Sequence, residues 1–330
     1  MGYLYALAAA LLFGANGSVT KVVIEAGISP TQLTQFRVLG TALIAGAILL
    51  VIDRSAFRIG WRQVGVMAFL GIAGVAVLQA SYAVAIQLLP VGIALLLEYL
   101  AVLFVAVIAF VFLKERVKAR LWVAIGCVLV GLAVVAQIWN SDLNPLGVVM
   151  ALVAAVSLTL YFIVGERQVG ATSPLAVSFW TTGFASLFWA FFSGWWDVRP
   201  DLLAAPVSLT GNLDALVTPL WAPLAWCVVL GSFAPFLLSF LALKHLSATA
   251  AGVVASSEVI FAFVVAWIWL GEALNPVQVG GAAVVLVGII LAQTARAGKV
   301  VDADLALVPD ELASGDEGPA ITLDEPVARH

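Results

Sequence analysis

Apolar runs of roughly 20 residues alternate with short polar breaks along most of the chain, a length that carries an α-helix across ~30 Å of hydrocarbon. Ten such runs are predicted, at 3–23, 33–52, 63–87, 91–113, 120–139, 146–165, 175–195, 221–243, 248–270 and 277–294. Most breaks span a few residues, so helices adjacent in sequence should be antiparallel neighbours. The exception, 196–220, is long enough to form a surface segment.

The pattern then repeats itself. Residues 88–135 hold two apolar runs around the charged hinge Lys114-Glu115-Arg116-Val117-Lys118, and a similar pair returns 157 positions later. Leu89, Val102, Phe104, Ala109, Leu113, Glu115 and Gly131 meet Leu246, Val259, Phe261, Ala266, Leu270, Glu272 and Gly288. Ten runs divided by two leaves five per copy. Five is odd, so the second copy must cross the membrane in the opposite sense to the first. The expected fold is an all-α membrane protein of ten transmembrane helices, built as two inverted five-helix repeats at 1–139 and 140–294. Residues 295–330 are acidic, lack apolar periodicity, and read as a disordered cytoplasmic tail.

Composition narrows the class. With 63% hydrophobic and 10% charged residues, the chain has too little charge to solvate a globular surface of this size. The net charge of −4 says little about the bundle, because eight of the 19 acids lie beyond residue 300. The basic residues set an orientation. Arg54, Arg58 and Arg62 follow the second run, Lys114 to Arg120 the fourth, Arg167 the sixth, Lys244 the eighth, and Arg296 and Lys299 the tenth. On the other side only Arg199 stands clear of a run. The positive-inside rule places both termini in the cytoplasm, in a multi-pass protein of the cytoplasmic (inner) membrane. The first run lacks a basic leader and a cleavage site, and is expected to serve as its own insertion signal. Cys127 and Cys227 lie in apolar runs and imply neither a disulfide nor a metal site.

Phe13-Gly14-Ala15-Asn16, Lys21, Ser29-Pro30 and Arg37 open the first repeat, and Ser173-Pro174 answers Ser29-Pro30 in the second. The fourth run of each repeat ends in a Leu-x-Glu step, at Leu113/Glu115 and Leu270/Glu272. In these motifs, their order and their duplication, the chain resembles the EamA family of the drug/metabolite transporter superfamily over nearly all of 3–294. The resemblance implies a ten-helix inner-membrane carrier that works by alternating access, with a central cavity between the repeats and amino acids or related metabolites as substrates, often moved outward. Where the family commonly has a proline in the fourth helix of each repeat, this chain has Val102 and Val259. Without those prolines, straighter helices are expected there.

Few polar residues lie inside the runs. Glu258 falls near the middle of the ninth, where a carboxylate costs roughly 2.5–3.5 kcal/mol on insertion scales. It must face a cavity, meet a cation or carry a proton. Proton coupling or a substrate amine is one reading; an interhelical hydrogen bond is the other. Glu98 lies in the fourth run. Lys21 and Arg37 are candidates to pair with it, as a gate or as a structural ion pair, or else to snorkel to the interface. Asn16 sits between Gly14 and Gly17, which permit close approach of a helix or substrate. Gln79 and Tyr82 share a helical face. Tyr161 and Trp180 are mid-run aromatics, suited either to stacking on a substrate or to packing. Glu115 and Glu272 are expected to brace a following helix start.

No Walker A sequence, H-E-x-x-H or Ser–His pair occurs within the runs. The expectation is a secondary transporter of small metabolites without cofactor, metal or nucleic-acid partner, with protons as a candidate partner and lipid as solvent. The alternatives are a passive channel or an intramembrane enzyme. Oligomeric state is not readable.

Overall fold

The computed structural model describes residues 1–101, 103–105, 108, 119–136, 143–246, 251, 254–255, 257–273 and 275–294. The charged hinge with Glu115, the residue Val102 and the acidic tail fall outside these. A helix occupies each of the ten expected places: α1 (Gly2–Glu25), α2 (Pro30–Ile52), α3 (Trp61–Leu88), α4 (Val91–Glu98), α5 (Ala119–Ala136), α6 (Pro145–Ala171), α7 (Pro174–Phe192), α8 (Trp221–His245), α9 (Ser257–Leu270) and α10 (Pro276–Thr294). Six of them, α1, α2, α3, α6, α7 and α8, are long and apolar enough to cross a membrane on their own length.

Local chemistry sets several of the boundaries. Ser29 caps α2 in a full capping box: its hydroxyl accepts the Gln32 N–H, and the Gln32 side chain accepts the Ser29 N–H. Ser173 caps α7 by the same side-chain bond, and Asn144 caps α6. In all three helices a proline fills the first position, where no N–H is needed.

The packing has a regular rule. α5 lies against α10, α2 against α7, and α4 against α9. α3 packs on α6 and α1 on α8; α4 packs on α6 and α1 on α9. Each contact recurs when every helix is exchanged for the one five places away. The irregularities obey the same rule. A π turn interrupts α3 at Leu70–Ala76 and another interrupts α8 at Val229–Phe233. Gly74 and Gly231, one in each turn, are 157 positions apart.

Helix ends gather at two poles. At one, Lys21 of α1 pairs with Glu272 beyond α9, whose second oxygen accepts the N–H of Val91 at 3.0 Å. The segment between α7 and α8 covers this pole. It carries a small hairpin, β1 (Pro206–Ser208) with β2 (Val217–Pro219). Asn212 donates to the carbonyl of Ile268, and the Trp269 indole to that of Leu209. At the other pole Tyr5 packs against His245, and Trp180 donates to the carbonyl of Ala56.

The fourth run, expected to be straighter for want of a proline, does not hold one unbroken ladder of hydrogen bonds. Leu100 bonds back to Leu97, three residues away, and regular bonding resumes with Phe104 to Leu100. The carbonyl of Ala101 next to the break receives the Thr159 hydroxyl from α6. In α9 the bonding also departs from the α pattern, through a π turn at Ala266–Leu270.

Candidate functional site

A cavity lies between α1, α3 and α4 on one hand and α6, α8 and α9 on the other. The centre of a water-sized sphere can occupy about 80 Å³ of it. On α1 its lining runs from Ala6 to Asn16 and stops short of Lys21; on α8 it runs from Phe236 to Leu243. It therefore extends from the middle of the bundle toward the pole of Tyr5 and His245.

The π turns aim its walls. One extra residue per turn rotates all that follows by about 100°. Gln79 and Tyr82 follow the turn in α3, and Phe236 and Ser239 follow the turn in α8 at the same repeat positions; all four face the cavity. Phe13 and Asn16 of α1 are likewise matched by Leu158 and Tyr161 of α6. The two halves thus contribute equivalent stations with different chemistry.

Arg37 enters from α2 and is 3% exposed. Its Nε donates to the Ser232 hydroxyl at 2.7 Å and its Nη2 to the carbonyl of Gly231 at 2.9 Å. The cause is Pro235: it has no N–H, so the carbonyl four residues earlier lacks its usual helical donor. The guanidinium supplies one. Asn16 packs so closely on Gly231 that no side chain fits there, and its amide donates to Thr20 at 3.3 Å.

Glu258 faces the cavity from α9 and accepts the Tyr99 hydroxyl at 2.7 Å; the same hydroxyl lies 2.8 Å from the carbonyl of Ala255. Gly14 lets α1 approach this point: a Cβ there would stand 2.9 Å from the carbonyl oxygen of Glu258 and 2.8 Å from Cβ of Phe261. Glu98 lines the cavity from α4, beside the break at Leu100. Rings close the apolar side. Phe13 meets Phe236 edge-on at 5.3 Å, and Tyr161 lies 5.7 Å from Phe236.

Several of these polar atoms are buried with no protein partner among the described residues: Oδ1 of Asn16, both amide atoms of Gln79, Oε2 of Glu98 and the hydroxyl of Tyr161. Buried polar groups are normally satisfied, each failure costing about 1–3 kcal/mol. Concentrated in one apolar cavity, they form a surface built to be completed by something else.

The structure thus brings Asn16, Arg37, Gln79, Tyr82, Glu98, Tyr161 and Glu258 into one cavity. Two candidates lie elsewhere. Trp180 is not in the lining; its indole ties α7 to the turn after α2 and stacks on Phe184. Lys21 pairs with Glu272 at the pole, not with Glu98. Glu272 does brace a helix start, that of α4 rather than the helix that follows it. Phe13 was singled out from sequence only as part of the opening motif; Tyr99, Phe236 and Ser239 were not proposed as site residues. The repeat offset of 157 applied to Gln79 and Tyr82 finds the last two. Among the described residues no group of acidic, histidine or cysteine side chains is arranged to hold a metal, and both cysteines are free thiols.

Known proteins place this architecture. The model of the EamA-like transporter family matches residues 1–137 and again 145–294. A protein of Archaeoglobus fulgidus described as an uncharacterized transporter is 26% identical over 216 residues, 64% of this chain and 71% of its own length. An S-adenosylmethionine uptake transporter of Rickettsia prowazekii is 24% identical over 63% of this chain, a match that spans 65% of that relative. One solved crystal structure superposes with a TM-score of 0.62 at 17% identity, covering 88% of this chain and 96% of its own, a likeness of fold alone. With a cavity lined by unsatisfied polar groups inside a bundle of apolar helices, and a family match over nearly the whole helical region, the chain belongs to the EamA-like transporter family of the drug/metabolite transporter superfamily: a multi-pass membrane transporter, not an enzyme.

Proposed function

We propose that this protein is a secondary carrier that moves a small amphipathic metabolite, an amino acid or a related solute, outward across the cytoplasmic membrane by alternating access, with proton coupling at Glu258. The observation that carries this reading is the cavity itself, where Asn16, Gln79, Glu98 and Tyr161 hold polar atoms without protein partners among apolar walls.

Alternating access draws support from the repeat. The family model matches twice, helix contacts recur on a five-place exchange, and the π turns fall at repeat-related positions. Two inverted halves that rock about a central site would produce these regularities. The pole of Tyr5 and His245 also holds Arg54, Arg58 and Lys244, in keeping with a cytoplasmic location. On that assignment the cavity faces the cytoplasm, and Lys21–Glu272 with the Trp195–Leu220 segment closes the outer side. The solute named for the Rickettsia relative, S-adenosylmethionine, is an amino-acid derivative and falls within the proposed class. That relative is named for uptake, so direction needs its own measurement.

Proteoliposome flux tests the proposal. A carrier gives saturable flux that responds to a pH gradient and loses that response in Glu258→Gln. Unsaturable flux supports a passive channel. No flux of any metabolite in a radiolabelled panel removes the carrier reading.

A further inference from the structure

The charges of the cavity do not balance. Glu98 and Glu258 bring two carboxylates, and the cation among the described lining residues is Arg37. The polar groups that share the cavity with Glu258 are Glu98 from α4 and Tyr99 just beyond it, Gln79 and Tyr82 from α3, Arg37 from α2, Asn16 from α1, Tyr161 from α6 and Ser239 from α8. Arg37 is already committed to Gly231 and Ser232. One negative charge is left over in an apolar setting, where an uncompensated ion is costly.

The unpartnered atoms point the same way. Oδ1 of Asn16, Oε1 of Gln79 and Oε2 of Glu98 are acceptors without donors, and all three residues are less than 8% exposed. The Gln79 amide nitrogen and the Tyr161 hydroxyl add donor capacity, which a single polar atom on the ligand or a water would meet. Phe13, Phe236 and Tyr161 line the same cavity, and the faces of such rings attract a cation while their bodies suit an apolar group.

We propose that the cavity takes a solute with one protonated amine on an apolar body, the amine seated between Glu98 and Glu258, and that a proton on Glu258 balances the same charge when the solute is absent. Tyr99 lets Glu258 hold either state. With Glu258 ionised, Tyr99 donates to its Oε2. With Glu258 protonated, the acid donates to the Tyr99 oxygen, and Tyr99 turns its own proton to the carbonyl of Ala255, 2.8 Å away. In both states Tyr99 and Glu258 share a hydrogen bond. Entry of an ammonium ion then releases the proton, one cation for one cation. Within the class proposed above, this favours an amine derivative without a free carboxylate over the amino acid itself, because no free cation remains to take a carboxylate.

This inference rests on the carrier reading only for what becomes of the solute; the binding itself is separately measurable. The full chain in detergent is titrated calorimetrically with alkyl- and arylammonium ions from propyl to phenethyl, with 2-phenylethanol and with phenylalanine, at mildly acidic pH in two buffers of different ionisation enthalpy. The expected result is ammonium binding with release of up to one proton, at least tenfold tighter than the alcohol or the zwitterion. Glu258→Gln, verified as folded by its thermal transition, binds at least tenfold more weakly and releases no proton. Tyr99→Phe still binds, and the pH of half-maximal release moves because the acid has lost its hydrogen-bond partner. The proposal is overturned if no ammonium ion binds, if alcohol or zwitterion binds as tightly, or if proton release persists in Glu258→Gln. Binding without flux would remove the carrier reading and leave this one; amino-acid flux without ammonium binding would do the reverse.

Discussion

The guanidinium of Arg37 and the carbonyl of Gly231 meet at 2.9 Å in the middle of the bundle, and Pro235 is the reason that carbonyl is free to accept. A basic side chain that sequence alone would allow to snorkel is instead a structural donor to a broken helix. Arg37→Lys keeps the charge but not the fork that serves Gly231 and Ser232 together. It is expected to lower the thermal transition in detergent by the equivalent of about 1–3 kcal/mol. In a Pro235→Ala background, which returns a backbone donor to Gly231, the same substitution should cost about 1 kcal/mol less.

Glu272 joins α1, α4 and the end of α9 through Lys21 and the Val91 N–H. In Glu272→Ala the Val91 amide loses its acceptor. Its hydrogen exchange is expected to rise about fivefold to tenfold, the equivalent of roughly 1 kcal/mol. Amide exchange read by mass spectrometry over the 88–95 peptide measures this; an unchanged rate would show that the Glu272 contact does not hold that pole.

Gly14 and Gly183 give a matched comparison. A Cβ at Gly14 meets Phe261, Ala262 and Glu258 within 2.9 Å, whereas one at Gly183 meets nothing within 4 Å. Gly14→Ala should destabilise the protein by about 1–3 kcal/mol and push α1 away from Glu258. Gly183→Ala should be neutral or slightly stabilising, by up to about 1 kcal/mol, through helix propensity. Thermal unfolding of the two variants side by side decides the point.

The pH response of flux follows from the hydroxyl between Glu258 and Ala255. Tyr99→Phe removes a donor to the ionised acid. The bond that Tyr99 makes to the acid is then lost, so the pH dependence of flux is expected to move with its shape unchanged. Glu258→Gln should flatten it. A profile in Tyr99→Phe that overlies the wild type would place the hydroxyl outside the coupling.

Much of this was visible in the sequence because cost makes polar residues conspicuous in apolar runs. Asn16, Gln79, Glu98 and Glu258 stand out for that reason, and all four line the cavity. Among the described residues, the six long apolar helices and the shorter ones fall where run length put them. What periodicity does not encode is local backbone bonding. The π turns in α3 and α8 leave no mark in composition, yet they decide which residues face inward. Trp180 shows the limit for aromatics: an indole in an apolar run needs one acceptor, and a backbone carbonyl at Ala56 serves as well as a ligand. Lys21 shows it for ion pairs, since its partner Glu272 is 251 positions away. The break in α4 had no proline to announce it.

Phe236 and Ser239 stand on α8 where Gln79 and Tyr82 stand on α3, like two halves of a mould cut to one outline but cast in different materials. A rigid guest held between them has one comfortable posture, with its hydrogen-bonding edge against α3 and its greasy edge against α8. Turned end for end, it would set ring against amide. A single preferred seating of the guest, rather than two of equal comfort, follows from that mismatch.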